Sequence, residues 1–170
     1  IAYAVQNPAP PPGTVRAHVT SGDDTIDDAA IHDLFAAMGA TREIRRLRHG
    51  LDTVLDGTAR HRMSGTTLRT FALARCLLRP TPIRLIDDLL SGLPTVRART
   101  IWDRMRADAA SGTNTVVVTD RPEFMADADR IVVLADGRIV LDEAGVAGVA
   151  RARVLLGDPS DGVAIGEGGR

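Results

Sequence analysis

Two predicted strands end in acidic residues, and these acids are the first candidates for chemistry. An apolar run over 83–86 is followed by Asp87 and Asp88, and a second run over 115–119 is followed by Asp120. In an open α/β sheet, ligands bind beyond the carboxyl ends of the strands, where a carboxylate can hold Mg²⁺ and a neighbour can orient water. The pattern predicts three acids along one sheet edge. The alternative interpretation is a pair of ordinary polar loops.

A second candidate is the dipeptide Ser64-Gly65, at the predicted start of a helix that runs to about Leu78. Free backbone N–H groups and a hydroxyl at a helix N-terminus can bind an anion. The simpler interpretation is that Ser64 only caps the helix, because serine is a preferred N-cap residue. The local sequence leaves both interpretations open.

The basic residues exclude one kind of phosphate site. All 21 of them are arginine, and the chain has no lysine. A phosphate-binding loop of the G-x-x-x-x-G-K-[ST] type needs its lysine on the β/γ-phosphates, so this chain cannot contain one. The net charge of −1 offers no broad cationic surface and argues against a nucleic-acid partner. The single cysteine, Cys76, excludes an internal disulfide and a multi-cysteine zinc site.

The elements that must position these residues alternate between strand and helix, which predicts an α/β fold with a parallel sheet. The segment 22–78 lacks a strand pattern and indicates an inserted helical subdomain, whereas the Gly- and Asp-rich residues 157–170 indicate a disordered tail. The individual predictions are a buried strand over 1–5, a proline-rich loop over 8–13, a helix capped by Thr25 and ended by Gly39, a short basic helix over 41–48, a helix from Ser64 to Leu78, strands over 83–86, 115–119 and 131–134, a helix over 96–110, and a hairpin turn at Asp136-Gly137 leading into a strand over 138–141.

Taken in order, several segments resemble the nucleotide-binding domain of ATP-binding cassette (ABC) transporters. Each motif is loose by itself, but the ordered series over about residues 1–141 is specific. The matching segments are residues 1–8 for the strand and glutamine loop, Gly13-Thr14-Val15-Arg16 and 46–54 for features of the exporter branch, Met63-Ser64-Gly65-Thr66-Thr67 for the LSGGQ signature, 83–88 for the Walker B strand, Ser91-Gly92-Leu93-Pro94 for the D-loop, Asp120 for the switch histidine, and 129–140 for the closing hairpin.

The resemblance implies a partial P-loop NTPase (RecA-like) core of the α/β class with an inserted ABC α-helical subdomain. The implied boundaries are 1–21 for the strand and glutamine loop, 22–79 for the helical subdomain with its signature helix, 80–156 for the C-terminal part of the core, and 157–170 for the tail. The family's phosphate-binding (Walker A) loop lies upstream of the glutamine loop. We therefore expect the chain to be an N-terminally truncated fragment of a longer protein.

The resemblance also implies site residues and cofactors. ATP and Mg²⁺ are the expected cofactors of the parent protein, not ligands that this chain alone binds tightly. Gln6 and Asp87 are the expected metal residues, and Asp88 and Asp120 occupy the catalytic positions. The expected nucleotide-binding residues are Gln6, Ser64, Gly65, Asp87 and Ser91.

Several departures from the family pattern imply a degenerate ATPase. Asp88 is one methylene shorter than the family's catalytic glutamate, and Asp120, as an anion, repels the γ-phosphate that a histidine would contact. Thr66 and Thr67 replace a glycine and a glutamine of the signature, and Pro94 replaces the D-loop aspartate. We expect a weakly hydrolysing or non-hydrolysing half of an exporter.

Partners and location follow from the same resemblance. The expected partners are an ABC transmembrane domain, fused or separate, and a second nucleotide-binding domain in a heterodimer, at the cytoplasmic face of the cell membrane. The alternative function is a non-enzymatic module that pairs with a partner ATPase without binding nucleotide. Arg84, inside a strand expected to be buried, must either pair with an acid or lie on an exposed strand, because a buried unpaired guanidinium is costly.

Overall fold

The computed structural model describes residues 1–56, 58 and 63–157, which divide into two units between Asp120 and Arg121. The tail was predicted over 157–170, and its residues 158–170 lie outside the described residues. The first unit contains strands β1 (Ala2–Ala4), β2 (Gly13–Thr14), β3 (Val54–Leu55), β4 (Ile83–Asp87) and β5 (Asn114–Val118), helices α1 (Val15–Thr20), α2 (Asp28–Ala37), α3 (Thr41–Arg45), α4 (Gly65–Leu77) and α5 (Thr95–Ala110), and a 3₁₀ turn over Gly50–Asp52.

A parallel sheet in the order β1-β4-β5 positions the candidate acids, as the alternation of elements predicted. Asp87 pairs in register with Val118. One face of the sheet carries buried Ala4 and Ile86. The other face carries Tyr3, Val116 and Val118, which are 51%, 56% and 58% exposed. The predicted strand over 1–5 is therefore confirmed over Ala2–Ala4, but its predicted burial is wrong, because one face of it stays exposed in the described part of the chain.

Strand β4 contains a buried charge, that of Arg84. Of the two alternatives for this residue, pairing with an acid or lying on an exposed strand, the structure shows the first. Its side chain is 1% exposed and pairs with Asp108 of α5 at 3.0 Å. Its Nε also donates to the backbone oxygen of Cys76, in the last turn of α4, at 3.1 Å. The guanidinium thus ties the sheet strand to both neighbouring helices and satisfies one helix-end carbonyl.

The helical region between β1 and β4 differs from the predictions in detail. Residues 54–55 form a strand that pairs antiparallel with β2, so the segment 22–78 is not free of strands. A two-residue strand is too short to show alternation. Asp27, not Thr25, caps α2, and its carboxylate accepts from the Ala30 N–H at 2.8 Å. Thr25 instead donates to Asp23 from both its N–H and its hydroxyl.

Other helix boundaries also shift. The short basic helix α3 ends at Arg45, three residues before the predicted end. Helix α1 was not predicted, because its β-branched residues obscure a helical pattern. Gly39 follows α2 with a φ of +62°, as expected for a residue that ends a helix. Phe35 of α2 and Phe71 of α4 meet edge to face, with ring centroids 5.9 Å apart.

The second unit consists of a 3₁₀ turn over Pro122–Asp127, an antiparallel hairpin of β6 (Arg130–Ala135) and β7 (Arg138–Ala144), and helix α6 (Gly145–Leu156). Its core is formed by Met125, Ile131, Val133, Leu141 and Ala152. Asp136 and Gly137 both have positive φ, which confirms the predicted two-residue turn. Helix α6 was missed, because two glycines weaken its helical pattern. No helix among the described residues has the length and apolarity needed to cross a membrane.

Candidate functional site

The carboxyl edge of the parallel sheet brings together two candidate residues that are far apart in the sequence. Gln6 lies two residues after β1, and Asp88 directly follows β4. The Gln6 Nε2 donates to Asp88 Oδ2 at 3.0 Å. Because β1 and β4 are parallel neighbours, their carboxyl ends lie side by side, which is why residues 82 positions apart meet here.

The backbone at Asp88 turns sharply, and this turn directs the carboxylate. Asp88 has a φ of +48°, a conformation that aspartate tolerates better than most residues. Its N–H donates to the Val118 carbonyl oxygen at 2.9 Å, so the turn is tied to β5. The Ser91 hydroxyl donates to the Asp88 carbonyl oxygen at 3.0 Å. The candidate residues Gln6, Asp88 and Ser91 therefore form one hydrogen-bonded group.

The oxygen donors at this edge suit a hard cation such as Mg²⁺. Asp88 Oδ1 is buried and has no hydrogen-bond partner among the described residues, so this carboxylate oxygen is left unsatisfied at the sheet edge. Asp87 ends β4 beside it and is half-buried. Mg²⁺ prefers carboxylate and other oxygen ligands and keeps several waters. Among the described residues, no group of three or more His, Cys, Asp or Glu could hold a metal ion by itself. A metal ion at this edge would therefore need water molecules as further ligands.

Asp120 stands apart from that group. It is exposed and follows β5 by two residues. Within the described residues its carboxylate forms no hydrogen bond or ion pair with Gln6, Asp87 or Asp88. The sheet edge thus carries all three predicted acids, but its hydrogen bonds connect only Asp88 to Gln6.

Ser64 and Gly65 lie at the start of α4, as the sequence predicted. The Ser64 hydroxyl accepts from the Thr67 N–H at 3.1 Å, and it lies 2.9 Å from the Thr67 hydroxyl. Ser64 is therefore an N-cap residue; it is exposed, whereas Thr67 is half-buried. Gly65 also lines a small cavity of about 120 Å³ with Asn7 and Pro8, the residues that follow Gln6.

Arg69 contacts the loop after β4, and the sequence did not predict this contact. Its guanidinium covers Gly92, where an added Cβ would lie 2.4 Å from Nη1. The Thr66 hydroxyl reaches the Gly92 carbonyl oxygen at 3.5 Å. The first turns of α4 therefore contact the loop that carries Asp88 and Ser91. The only sequence signal was the spacing of Thr66 and Arg69, three residues apart on one helical face.

Comparisons with known proteins identify relatives of the chain, although no family model matches it. The mycobactin import ATP-binding/permease protein IrtB of Mycolicibacterium thermoresistibile is 33% identical over 149 residues, 85% of this chain and 24% of that protein. IrtB of Mycobacterium tuberculosis H37Rv is 31% identical over 130 residues, 76% of this chain and 22% of the relative. The ATP-dependent lipid A-core flippase of Bordetella pertussis is 31% identical over 128 residues, 75% of this chain and 20% of the flippase.

A solved structure shows the same likeness in three dimensions. A bacterial Atm1-family ABC exporter with ATP bound superposes with a TM-score of 0.74 at 26% identity, over 92% of this chain and 27% of that one. The chain spans about a fifth to a quarter of the length of these curated relatives. The identity to several ATP-binding/permease proteins and the superposition on an exporter agree with each other. The chain therefore belongs to the ABC transporter family.

Proposed function

We propose that this chain is the part of an ABC exporter's nucleotide-binding domain that contains the glutamine loop, the signature helix and the Walker B strand. In this proposal, residues 1–21 and 80–156 belong to a RecA-like core, and residues 22–79 form the helical subdomain. The observation that carries the proposal is the hydrogen bond between Gln6 and Asp88 at the carboxyl edge of the parallel sheet. It joins the two loops at which a nucleotide-bound metal and an attacking water must meet.

The roles of the residues follow from their chemistry. Asp87 and the amide oxygen of Gln6 are the groups that would hold Mg²⁺, through waters, and the metal would neutralise charge on the phosphates. Asp88 would accept a hydrogen bond from the attacking water, and its Oδ1 has no other partner among the described residues. Ser91 fixes the Asp88 backbone through the carbonyl contact.

Three features support the weakly hydrolysing half of the parent protein over a fully active one. In this structure the Gln6 amide occupies the second carboxylate oxygen of Asp88. Asp88 also reaches less far than a glutamate, and Asp120 places a negative charge at the position where the family has a hydrogen-bond donor. The expected partners are a second nucleotide-binding domain and a transmembrane domain, at the cytoplasmic face of a membrane.

A hybrid protein tests the proposal. In an ABC exporter that retains its own phosphate-binding loop, the matching segment is replaced by these 170 residues. We expect Mg-ATP binding to persist and turnover to fall well below that of the unmodified exporter. Gln6→Ala in the hybrid should weaken Mg²⁺-dependent binding of ATP. A Gln→Ala control at another position cannot be made, because Gln6 is the only glutamine in the chain. Asn7→Ala serves as the neighbouring control.

The two functional alternatives give different results in that hybrid. Turnover equal to the unmodified exporter would contradict the degenerate half. If isothermal titration shows no Mg-ATP binding at the hybrid site while the two nucleotide-binding domains still associate, the chain is a non-enzymatic pairing module. The same outcome would leave the family membership unchanged.

A further inference from the structure

The side chain of Gln6 ends in an amide whose two ends are similar in size and opposite in chemistry. The nitrogen end donates hydrogen bonds, and the oxygen end accepts them. Mg²⁺ takes oxygen ligands, so only one of the two amide orientations can serve the metal role proposed above for Gln6. Gln6 is exposed, so packing does not select between the orientations. A hydrogen-bond partner is therefore needed to select one of them.

Asp88 is such a partner, and the register of the sheet places it opposite Gln6. Strands β1 and β4 are parallel, with Ala4 opposite Ile86. Gln6 and Asp88 each follow two residues later, and the Gln6 Nε2 donates to Asp88 Oδ2 at 3.0 Å. Because a carboxylate only accepts hydrogen bonds, it binds the nitrogen end of the amide and not the oxygen end. The amide oxygen is thus the end that Asp88 leaves unused.

The carboxylate that selects this orientation belongs to a residue that is itself held in place. The Asp88 N–H donates to the Val118 carbonyl oxygen at 2.9 Å, and the Asp88 carbonyl oxygen accepts from the Ser91 hydroxyl at 3.0 Å. Asp88 Oδ1 is buried, so Oδ2 is the oxygen turned toward the exposed Gln6. A fixed acceptor can orient a flexible side chain, whereas two flexible side chains would not orient each other.

We propose that Asp88 is a positioning residue for Gln6: its Oδ2 holds the amide nitrogen, and the amide oxygen is thereby left for a nucleotide-bound metal ion. This inference rests on the proposed function and adds to it, because Asp88 then orients a metal residue besides contacting the attacking water. Outer-shell hydrogen bonds orient metal-binding side chains in the same way at other metal sites.

Gln6 gives the test a probe of a single residue, because it is the only glutamine in the chain. The 170-residue chain is labelled with ¹⁵N at the glutamine side-chain amide, so that NMR detects only the two Nε2 protons of Gln6. We expect one of them to lie downfield of its position in a free glutamine amide. Asp88→Gly, which tolerates the φ of +48°, should abolish this shift, whereas Asp88→Asn keeps an acceptor and should retain most of it. Asp33→Ala, which removes an exposed carboxylate of α2, should leave the signals unchanged.

The Mg²⁺ requirement of the hybrid exporter gives a second measurement. Mg²⁺ is titrated at a fixed ATP concentration, and the Mg²⁺ concentration that gives half-maximal ATP binding is determined. Asp88→Gly and Asp88→Asn remove the same charge, but only the second keeps an acceptor for Gln6. We expect Asp88→Gly to need about two- to tenfold more Mg²⁺ than Asp88→Asn, the range that one hydrogen bond contributes. With Gln6→Ala added to both, the two variants should need the same concentration, because the amide to be oriented is gone.

The inference is overturned if Asp88→Gly leaves the Gln6 amide signals unchanged. It is also overturned if the two Asp88 variants need the same Mg²⁺ concentration while the Gln6 side chain is present. Failure of the proposed function is recognised separately. A hybrid exporter that does not bind Mg-ATP contradicts that function, and the NMR signals of the isolated chain still decide whether Asp88 orients Gln6.

Discussion

At the scale of single residues, the weak hydrolysis that we propose has two causes, the charge of Asp120 and the reach of Asp88. Asp88 is held by Gln6, by Ser91 and by the backbone of β5, so its position is well defined. Its short side chain limits how far it can reach toward a water. Asp120 is exposed, and in the proposed function its carboxylate would offer an acceptor where a phosphate needs a donor.

We predict that Asp120→His together with Asp88→Glu raises ATP turnover in the hybrid exporter described above. The first change replaces a repulsive charge with a hydrogen-bond donor, and the second restores reach toward the attacking water. Steady-state phosphate release measures the effect, and Asp127→His, outside the site residues, is the control. No gain in the double variant would show that these two positions do not limit hydrolysis.

We predict that Ser64 has a second role besides capping α4, and two substitutions distinguish the two roles. Ser64→Ala removes the N-cap of α4 and should cost about 1 kcal/mol of unfolding free energy. In a heterodimer it should also slow turnover at the partner's site by roughly ten- to a hundredfold, which corresponds to losing one charge-assisted hydrogen bond. Ser64→Asp keeps the cap but repels a phosphate.

Urea unfolding and heterodimer turnover are therefore measured for both Ser64 variants. We expect Ser64→Asp to retain stability and still lose turnover. Normal turnover in both variants would mean that Ser64 is a helix cap and contributes nothing to the partner's site.

At the scale of elements, α4 connects most parts of the first unit. Its first turns contact the loop after β4 through Thr66 and Arg69, and its last turn accepts a hydrogen bond from Arg84 of β4. Its buried face also packs against α1 and α2, where Phe71 meets Phe35. Changes on α4 should therefore affect both the candidate site and the helical region.

The contact between Arg69 and Gly92 predicts a non-additive pair of substitutions. Gly92→Ala should destabilise the chain, because its Cβ would overlap the guanidinium, and Arg69→Ala should remove that overlap. The double variant should therefore lose less stability than the sum of the single variants, by about 0.5–3 kcal/mol of coupling. Urea unfolding of the four proteins completes this cycle. If the stability losses of the two single variants simply add in the double variant, the contact between Arg69 and Gly92 is contradicted.

The packing of α1 on α4 predicts a pH dependence. Burial, with a smaller effect of the nearby Arg75 charge, lowers the pKa of His18 from 6.5 to about 4. The unfolded chain therefore binds a proton between these pH values that the folded chain does not. The contribution of neutral His18 is complete above pH 6.5 and is lost as the pH falls toward 4, by about 3 kcal/mol in all.

Urea unfolding at several pH values between 7 and 4 measures this dependence. His18→Gln should flatten it, whereas His32→Gln, at an exposed position of α2, should leave it unchanged. If the unfolding free energy falls equally steeply with falling pH in the unmodified chain and in His18→Gln, then His18 is not the group responsible.

At the scale of the whole molecule, nucleotide affinity depends on groups that this sequence lacks. The chain has no lysine and therefore no phosphate-binding loop of the lysine type. We predict that the purified 170-residue chain neither binds Mg-ATP tightly nor hydrolyses it. Isothermal titration and phosphate release measure both properties, with an intact nucleotide-binding domain as the positive control. Micromolar binding would contradict this prediction.

The family and the order of elements could be read from the sequence. Apolar runs with acids at their ends, a serine before a helical pattern and an Asp-Gly turn are local signals, and each of them lies where the structure has the corresponding element. The errors also have local causes. Thr25 has the chemistry of an N-cap but bonds to Asp23, and the two-residue strand β3 and the glycine-containing helix α6 are too weakly patterned to predict.

Only the tertiary structure decided which residues meet. The hydrogen bond from Gln6 to Asp88 spans 82 positions and depends on β1 lying parallel to β4. The guanidinium of Arg69 over Gly92, and the choice of Asp108 as the partner of Arg84, depend on how helices pack against the sheet. Local sequence sets the hydrophobic periodicity of a helix or strand and the residues at which it begins and ends, because both depend on neighbouring residues. Contacts between distant residues depend on strand order and packing, which no local pattern encodes.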